Sequence, residues 1–295
     1  MTVITEFAPA KINLTLEVLG RRADGYHELK SLVAFADVGD TITLDTSLPR
    51  GVSMSGPFAS SIAGANLVET TLQRIAVAYP HLTLGAIHLE KNLPVAAGIG
   101  GGSADAAAVL RAVRRANAEF SDKIDWYALA LSLGADVPVC FHARLSWMTG
   151  LGEHVEPVYA EHSKPFAGFA AVIVNPLVPV PVDKTAQVFR ALGAPPLEAG
   201  FTPASPPTGA NDRVHLMTVV SAGSNALEAA AVRVVPAVAT VLDALRTLTV
   251  CRLARMSGGG PTSFALYETL DAAEAAREVV ATRHPAWWVI AVRLM

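Results

Sequence analysis

The stretch Pro94-Val95-Ala96-Ala97-Gly98-Ile99-Gly100-Gly101-Gly102-Ser103-Ala104-Asp105 decides the fold of this chain. Four glycines fall within five positions, and a serine and a long alanine-rich helical pattern follow them. Glycine lets the backbone turn with positive φ and has no Cβ to keep a ligand away, so successive N–H groups can converge on an anion. The following helix directs its partial positive charge at the same point. The pattern predicts a phosphate-binding loop in front of a helix that Ser103 caps.

Three other interpretations of this loop differ in what they require. A nucleotide P-loop ends in Gly-Lys-Ser/Thr, and the lack of a lysine in Gly101-Gly102-Ser103 excludes it. The dinucleotide-binding fingerprint fits in part, since Gly98, Gly100 and Ser103 have nearly its spacing. That fingerprint also needs an acidic residue about 20 positions on at the end of a second strand, and here the acidic residues fall at a predicted helix end and in a turn. A glycine-rich turn without a ligand is the remaining alternative.

The composition describes a chain of 295 residues, which is long enough for two domains with sizeable cores. Hydrophobic residues make up 52% and charged residues 17%, and the net charge of −3 argues against nucleic acid as the main partner. Cys140 and Cys251 lie in apolar runs without metal-ligand spacing, as is typical of buried thiols in a reducing compartment. The N-terminal residues lack a signal-peptide pattern, and no apolar run reaches the ~18 residues of a membrane span. We therefore expect a cytoplasmic protein without a membrane partner.

The periodicity of the chain predicts a mixture of helices and strands. Residues 10–19 alternate between apolar and polar side chains, which indicates a half-buried strand, and the Asp24-Gly25 pair after it suits a hairpin turn. Asn66 with Glu69 indicates the start of a helix. Because helices and antiparallel hairpins alternate without a repeated βαβ unit, we expect an α+β fold. Further strands are predicted at 41–44, 87–90, 137–142, 170–174, 251–256, 262–267 and 287–293, and further helices at 104–118, 123–133, 185–192, 225–232, 236–245 and 271–283, with an irregular loop at 195–209.

Four polar segments are candidates for chemistry, and each has a purely structural alternative. Lys11 and Asn13 share the polar face of the first strand, where a lysine can also serve to discourage edge-to-edge aggregation. Asp136 follows a predicted helix end, which is a common position for a turn residue. Tyr26-His27 places an aromatic ring beside a hydrogen-bonding ring, although most pairs of this kind have no special role. Ser257-Gly258-Gly259-Gly260 permits close approach of the backbone to a ligand, or simply connects two strands.

Four motifs follow one another along the chain: Pro9-Ala10-Lys11-Ile12-Asn13-Leu14, Arg22-Ala23-Asp24-Gly25-Tyr26-His27, the glycine loop, and Gly134-Ala135-Asp136-Val137-Pro138. Together they strongly resemble the superfamily of galactokinase, homoserine kinase, mevalonate kinase and phosphomevalonate kinase. The second and fourth motifs resemble, more specifically, a subfamily of the non-mevalonate isoprenoid pathway. The resemblance extends through Gly150-Leu151-Gly152-Glu153, Asn225-Ala226-Leu227-Glu228 and Arg255 to Gly260, and so covers nearly the whole chain.

The resemblance implies a two-domain α+β small-molecule kinase. Its ATP-binding catalytic domain would be ribosomal-protein-S5-domain-2-like and cover residues 1–155, and its substrate-binding domain would be ferredoxin-like and cover residues 156–295. The residues from Pro94 to Ala104 would hold the phosphates of ATP, with Mg²⁺ offsetting their charge. The implied acceptor is a small molecule, a cytidine-diphosphate-linked methylerythritol that is phosphorylated on its 2-hydroxyl.

The resemblance also implies roles for single residues. Asp136 would accept the proton of the attacking hydroxyl. Lys11 would keep Asp136 ionised and steady the γ-phosphate, since a nearby cation lowers the pKa of a carboxylate. Asn13 would orient the hydroxyl. His27 would hydrogen-bond the polar edge of the cytosine ring, and Tyr26 and Phe189 would stack on its two faces. The hydroxyl group of Thr185 would contact the substrate.

Two further hypotheses stay open beside this one. A kinase of the same superfamily could act on another small alcohol, such as homoserine or mevalonate, and would have no use for Tyr26-His27. A non-catalytic nucleotide-binding regulator on the same scaffold would be expected to have lost Lys11 or Asp136, and both are present. The chain departs from the pattern of the family it resembles in the segment from Pro176 to Phe189, which carries extra residues around Asp183-Lys184.

Overall fold

The computed structural model describes residues 2–62, 64, 66–159, 166–198, 200–202 and 212–295. Within them the chain forms eleven strands and nine α-helices, numbered here in chain order. The strands are β1 (Val3–Asn13), β2 (Glu17–Arg21), β3 (His27–Asp45), β4 (Gly51–Ser55), β5 (Ala86–Glu90), β6 (Ser146–Gly150), β7 (His154–Pro157), β8 (Phe169–Asn175), β9 (Leu253–Met256), β10 (Ser263–Tyr267) and β11 (Trp288–Leu294). The helices are α1 (Leu67–Ala78), α2 (Gly101–Ala116), α3 (Trp126–Leu133), α4 (Val137–His142), α5 (Lys184–Leu192), α6 (Arg213–Ala222), α7 (Glu228–Val234), α8 (Ala237–Arg246) and α9 (Leu270–Arg283).

The chain divides into two compact units, each built from separate segments. The first comprises Met1–Lys11, Val38–Val95 and Gly100–Ala143, and the second comprises Ile12–Asp37, Ala96–Ile99 and Arg144–Met295. The boundary therefore falls within β1 and β3 and within the glycine loop. The predicted functional division at residue 155 concerns ATP binding and substrate binding, and it stays a prediction.

The first unit combines strands with a group of four helices. The second half of β3 pairs antiparallel with β5, and β4 pairs parallel with β5. Helix α2 packs against α1, α3 and α4, and nearly its whole middle is buried. Its alanines have no bulky side chains, so neighbouring elements can approach the helix closely on several sides. This packing fixes the direction of α2, and with it the position of the glycine loop in front of it.

The second unit contains an antiparallel sheet covered by helices. β8 pairs with both β10 and β11, and β9 pairs with β10. One apolar core lies where α8 and α9 cover these strands, and a second lies where α5, α7 and α8 meet. A separate antiparallel group consists of β2, the first half of β3, β6 and β7. The mixture of antiparallel strands and helices confirms the α+β class.

Several sequence predictions are confirmed. Asn66 accepts a hydrogen bond from the amide of Val68 at 2.9 Å and so starts α1 as predicted. The turn at Asp24-Gly25 joins β2 to β3, with Gly25 at a φ of 87°. The strands predicted at 87–90, 170–174 and 262–267 and the helices predicted at 185–192 and 271–283 are present within one residue or so. The segment 41–44 is the end of the much longer β3. Part of the predicted loop at 195–209 lies outside the described residues.

Two predictions about strands are wrong. Residues 137–142 form the helix α4, and Pro138 suits the first turn of a helix. The prediction failed because a short apolar run does not distinguish a buried strand from a buried helix. Residues 10–19 do not form one half-buried strand. β1 ends at Asn13, β2 begins at Glu17, and the polar residues of the end of β1 are as buried as the apolar ones.

The predicted cap of α2 is also wrong. The helix begins at Gly101, and its N-cap is Gly100, whose φ of 66° is left-handed. Ser103 therefore lies inside the first turn, and no side chain caps this helix. Its first amide groups are consequently left for another acceptor. Among the described residues, no helix is both long enough and apolar enough to cross a lipid bilayer.

Candidate active site

A lysine and an aspartate form an ion pair in the first unit. Nζ of Lys11 donates to Oδ2 of Asp136 at 2.7 Å, although the two residues are 125 positions apart. The lysine side chain is buried, whereas 36% of the aspartate side chain is exposed. Asp136 precedes the first residue of α4, where the chain turns after Gly134. The pair thus presents one accessible carboxylate whose charge is balanced by a buried cation.

The start of α2 lies against the same lysine. A Cβ placed on Gly100 would stand 3.0 Å from Cβ of Lys11, so glycine is needed for the approach as well as for the positive φ. The uncapped amides of α2 therefore begin beside the Lys11–Asp136 pair. Partial positive charge at a helix start attracts anions, and a lysine in contact with it strengthens that attraction. The arrangement suits a phosphate group.

The earlier part of the glycine loop belongs to the second unit, where it lies against a second glycine turn. A Cβ on Gly98 would fall within 3.0 Å of three backbone atoms of Gly260, and a Cβ on Gly258 would stand 2.7 Å from the carbonyl oxygen of Gly98. Ser257 donates from Oγ to that same oxygen at 3.2 Å. The turn at 257–260 connects the antiparallel strands β9 and β10, as the second interpretation predicts, and the close backbone approach that it allows here is to the glycine loop.

Asn13 is fully buried in the second unit and has a precise orientation. Its Nδ2 donates to Oγ of Ser31 at 2.7 Å, and its backbone amide donates to Oγ of Ser257 at 3.1 Å. Its Oδ1 has no hydrogen-bond partner among the described residues, and it stands 3.5 Å from a Cβ placed on Gly258. A fixed, unpaired acceptor of this kind suits a hydroxyl donor from a ligand.

The four residues predicted to bind the base and the substrate also lie in the second unit. The rings of His27 and Phe189 stack on each other, with centroids 4.6 Å apart and planes inclined by 25°. Burial, with Arg21 nearby, lowers the pKa of His27, so its ring is neutral at pH 7. Tyr26 is 64% exposed. Thr185 lies one turn before Phe189 in α5, and its Oγ1 is 3.9 Å from a Cβ placed on Gly259.

The sequence reasoning missed a buried charge cluster in the first unit. Nζ of Lys91 donates to Oδ2 of Asp40 at 2.5 Å and to Oδ2 of Asp105 at 2.7 Å. A Cβ on Gly101 would stand 3.2 Å from that Nζ, so the cluster underlies the start of α2. The available signal is a charged residue within an apolar pattern: Asp105 stands among the alanines of α2, and Lys91 stands three residues before the loop.

The described residues include no group of three or more histidine, cysteine, aspartate or glutamate side chains that could hold a metal ion. In nucleotide-binding enzymes Mg²⁺ is usually held by the phosphates of the nucleotide together with one or two carboxylates.

Two family models match this chain, one in each half of the sequence. Residues 66–144 match the family model of the GHMP kinases N terminal domain, and residues 211–286 match that of the GHMP kinases C terminal. The chain is 46% identical over 295 residues to 4-diphosphocytidyl-2-C-methyl-D-erythritol kinase of Methylobacterium radiotolerans, covering 98% of each chain. It is 46% identical over 291 residues to the same enzyme of Rhodopseudomonas palustris, covering 96% of this chain and 94% of that one. A solved structure of 4-(cytidine 5'-diphospho)-2C-methyl-D-erythritol kinase superimposes with a TM-score of 0.74 at 32% identity, covering 99% of each chain.

Proposed function

Because the chain belongs to the GHMP kinase family, and within it to the 4-diphosphocytidyl-2-C-methyl-D-erythritol kinases, we propose that it transfers the γ-phosphoryl group of ATP to the 2-hydroxyl of 4-diphosphocytidyl-2-C-methyl-D-erythritol. The chain is thus an ATP-dependent small-molecule kinase. The observation that carries the proposal is the ion pair of Lys11 with the accessible Asp136, beside the uncapped start of α2 at Gly100.

The ion pair suits the proton transfer of this reaction. Asp136 accepts the proton of the attacking hydroxyl, and its partial exposure leaves an oxygen free to meet that hydroxyl. Lys11 pairs with the carboxylate, and its Cε lies 3.3 Å from a Cβ placed on Gly100, where the phosphate-binding amides begin. Phosphoryl transfer needs little covalent help from the protein, so positioning and charge stabilisation account for most of the acceleration.

The phosphates of ATP bind to the loop from Pro94 to Ala104. Positive φ at Gly98 and Gly100 turns the backbone, and the first amides of α2 remain available to phosphate oxygens. Mg²⁺, when bound, neutralises part of the charge on the phosphates. Lys11 and the start of α2, both in the first unit, bind the negatively charged phosphates.

The acceptor is held by residues of the second unit. Asn13 offers its unpaired Oδ1 to a hydroxyl of the methylerythritol. His27 hydrogen-bonds the polar edge of the cytosine ring, and its neutral state lets it act as donor at one ring nitrogen and acceptor at the other. Tyr26 and Phe189 stack on the base, and Thr185, on the same face of α5 as Phe189, contacts the substrate.

A panel of acceptors tests the proposal. Purified protein with ATP and Mg²⁺ is offered the cytidylated methylerythritol, its uridine counterpart, the alcohol without its nucleotide, homoserine and mevalonate, and phosphate transfer is measured. The cytidylated alcohol is expected to be the best acceptor by at least ~100-fold, because a buried site that hydrogen-bonds one edge pattern rejects its reverse. A better rate with homoserine or mevalonate would leave only the family assignment standing.

A further inference from the structure

Lys184, the first residue of α5, has a buried amino group that the proposed reaction does not use. Its side chain is 4% exposed, and Nζ donates to the carbonyl oxygens of Ala96, at 3.1 Å, and of Gly260. The neighbouring Asp183 is directed elsewhere, since its carboxylate pairs with Arg190 and Gln187.

The other two buried lysines show what is unusual about Lys184. Lys11 is paired with one carboxylate and Lys91 with two. Lys184 has no carboxylate within ion-pair distance in the part of the chain that the structure describes, and carbonyl dipoles do not neutralise a full charge. Burial lowers the pKa of Lys184 to about 8. A buried cation without an anion is costly, so its presence here points to a negative partner that arrives with a ligand.

The two carbonyl groups that Lys184 contacts belong to the two glycine turns. Ala96 adopts a left-handed φ of 54° and Gly260 one of 69°. The turns are also joined directly, because the amide of Thr262 donates to the carbonyl of Ala97 at 3.1 Å. Ala96, Gly98 and Gly258 remain at least partly exposed, so a ligand can approach the surface of both turns. Lys184 is therefore a third connection between them and the one that carries charge.

We propose that Lys184 is a phosphate-binding residue: its ammonium group joins the two glycine turns through two N–H donors and gives the third to a phosphate oxygen of a bound substrate. This inference rests on the proposed function for the identity of the ligand. The phosphate could belong to ATP or to the diphosphate of the cytidylated alcohol, and both present the same oxygen atoms to the ammonium group. An ammonium group has three donors and no acceptor, so the remaining N–H suits an anion.

Binding measurements with Lys184→Met separate this role from simple packing. Methionine matches the length of the apolar stem but removes the charge, and Lys184→Arg keeps the charge. The dissociation constants of a non-hydrolysable ATP analogue, adenosine, cytidine diphosphate and cytidine are measured by calorimetry, with Lys123→Met as the control for loss of an exposed lysine. We expect Lys184→Met to raise the dissociation constant of one of the two phosphorylated ligands by at least ~10-fold, as for loss of a charge-assisted hydrogen bond. The dissociation constant of the corresponding nucleoside should rise by less than ~2-fold.

The pattern of losses decides the outcome. Loss of affinity for the ATP analogue assigns the phosphate to ATP, and loss for cytidine diphosphate assigns it to the acceptor. Equal losses for nucleosides and their phosphates, or no loss at all, would overturn the proposal and leave Lys184 with a packing role. If Lys184→Met does not fold, Lys184→Gln keeps an N–H donor for the carbonyls, and the same selective loss is expected. If the cytidylated alcohol is not the best acceptor in the panel, but Lys184→Met still loses affinity for the ATP analogue, the proposed substrate is refuted and the role of Lys184 is not.

Discussion

Replacing Asp105 by asparagine is expected to stabilise the protein at neutral pH, because its carboxyl group is poorly accommodated in the buried cluster. Oδ2 accepts from Lys91 at 2.7 Å, but Oδ1 has no hydrogen-bond partner among the described residues. Asp40 shares the same lysine and in addition accepts from the amides of Asn92 and Leu93 at 2.6 and 2.8 Å. Asp40 is therefore the better-stabilised anion of the two. Burial, opposed by Lys91 and reinforced by Asp40, raises the pKa of Asp105 from 3.8 to about 8.

The direction of the pH dependence follows from this pKa. Between pH 4 and 8 the folded protein holds a proton on Asp105 that the unfolded chain has released, so the free energy of unfolding falls as the pH rises. One proton corresponds to at most ~1.4 kcal/mol per pH unit, or ~4 kcal/mol from pH 5 to pH 8. The asparagine side chain of the variant does not titrate. The stability advantage of Asp105→Asn over the wild type should therefore widen by up to that amount as the pH increases.

Urea unfolding at pH 5, 6, 7 and 8 measures this difference. Asp122→Asn, at an exposed aspartate of the same unit, is the matched control and should run parallel to the wild type across the range. Two results would refute the reasoning. A constant difference between Asp105→Asn and the wild type at every pH would mean that Asp105 does not titrate on unfolding. A loss of several kcal/mol in the variant throughout would mean that Lys91 requires both carboxylates in ionised form.

Three further predictions concern the ligand sites. Gly100→Val should weaken ATP binding by at least ~10-fold, because valine disfavours the left-handed φ and its Cβ would press on Lys11. Gly102→Val is the control and should have a much smaller effect, since there is open space around its Cβ. Equal effects of the two variants in a titration with an ATP analogue would contradict this prediction. His27→Ala should narrow the preference for the cytidine substrate over the uridine one, mainly by reducing kcat/KM for the cytidine substrate. Tyr26→Ala should reduce kcat/KM for both substrates by ~10-fold or more, because stacking does not depend on the hydrogen-bonding pattern at the edge of the base. Lys11→Ala should lower kcat by at least ~100-fold in steady-state assays, and near-normal turnover would remove it from the mechanism.

The parts of the account that could be predicted from sequence are those with a local pattern. Spaced glycines before an alanine-rich helix predict the phosphate loop, and an Asn or an Asp-Gly pair marks a helix start or a turn within a few residues. The position of Asp136 beside Lys11 also followed, but only through the resemblance to a family, since the residues are 125 positions apart. The roles assigned to Lys11, Asn13, Tyr26, His27 and Asp136 stay predictions until variants are measured.

The rest depends on contacts that no local pattern reveals. Asp40 and Lys91 are 51 positions apart, and Lys184 and Ala96 are 88 apart, so their pairing exists only in the fold. The segment 137–142 was predicted as a strand because apolar length alone does not distinguish a buried strand from a buried helix. Ser103 looked like a helix cap because serine is a common one, yet the left-handed Gly100 starts the helix three residues earlier.

Single-turnover phosphoryl transfer by Asp136→Asn tests the central claim most directly. Wild type and variant are mixed with labelled ATP, Mg²⁺ and the cytidylated methylerythritol, and the rate of label transfer is measured alongside the dissociation constants of both substrates. The account predicts a transfer rate at least ~100-fold below the wild type with both dissociation constants changed by less than ~3-fold, because asparagine keeps the shape of the side chain but cannot accept the proton. Transfer at a near wild-type rate would contradict the account, because the reaction would then proceed without a general base at Asp136.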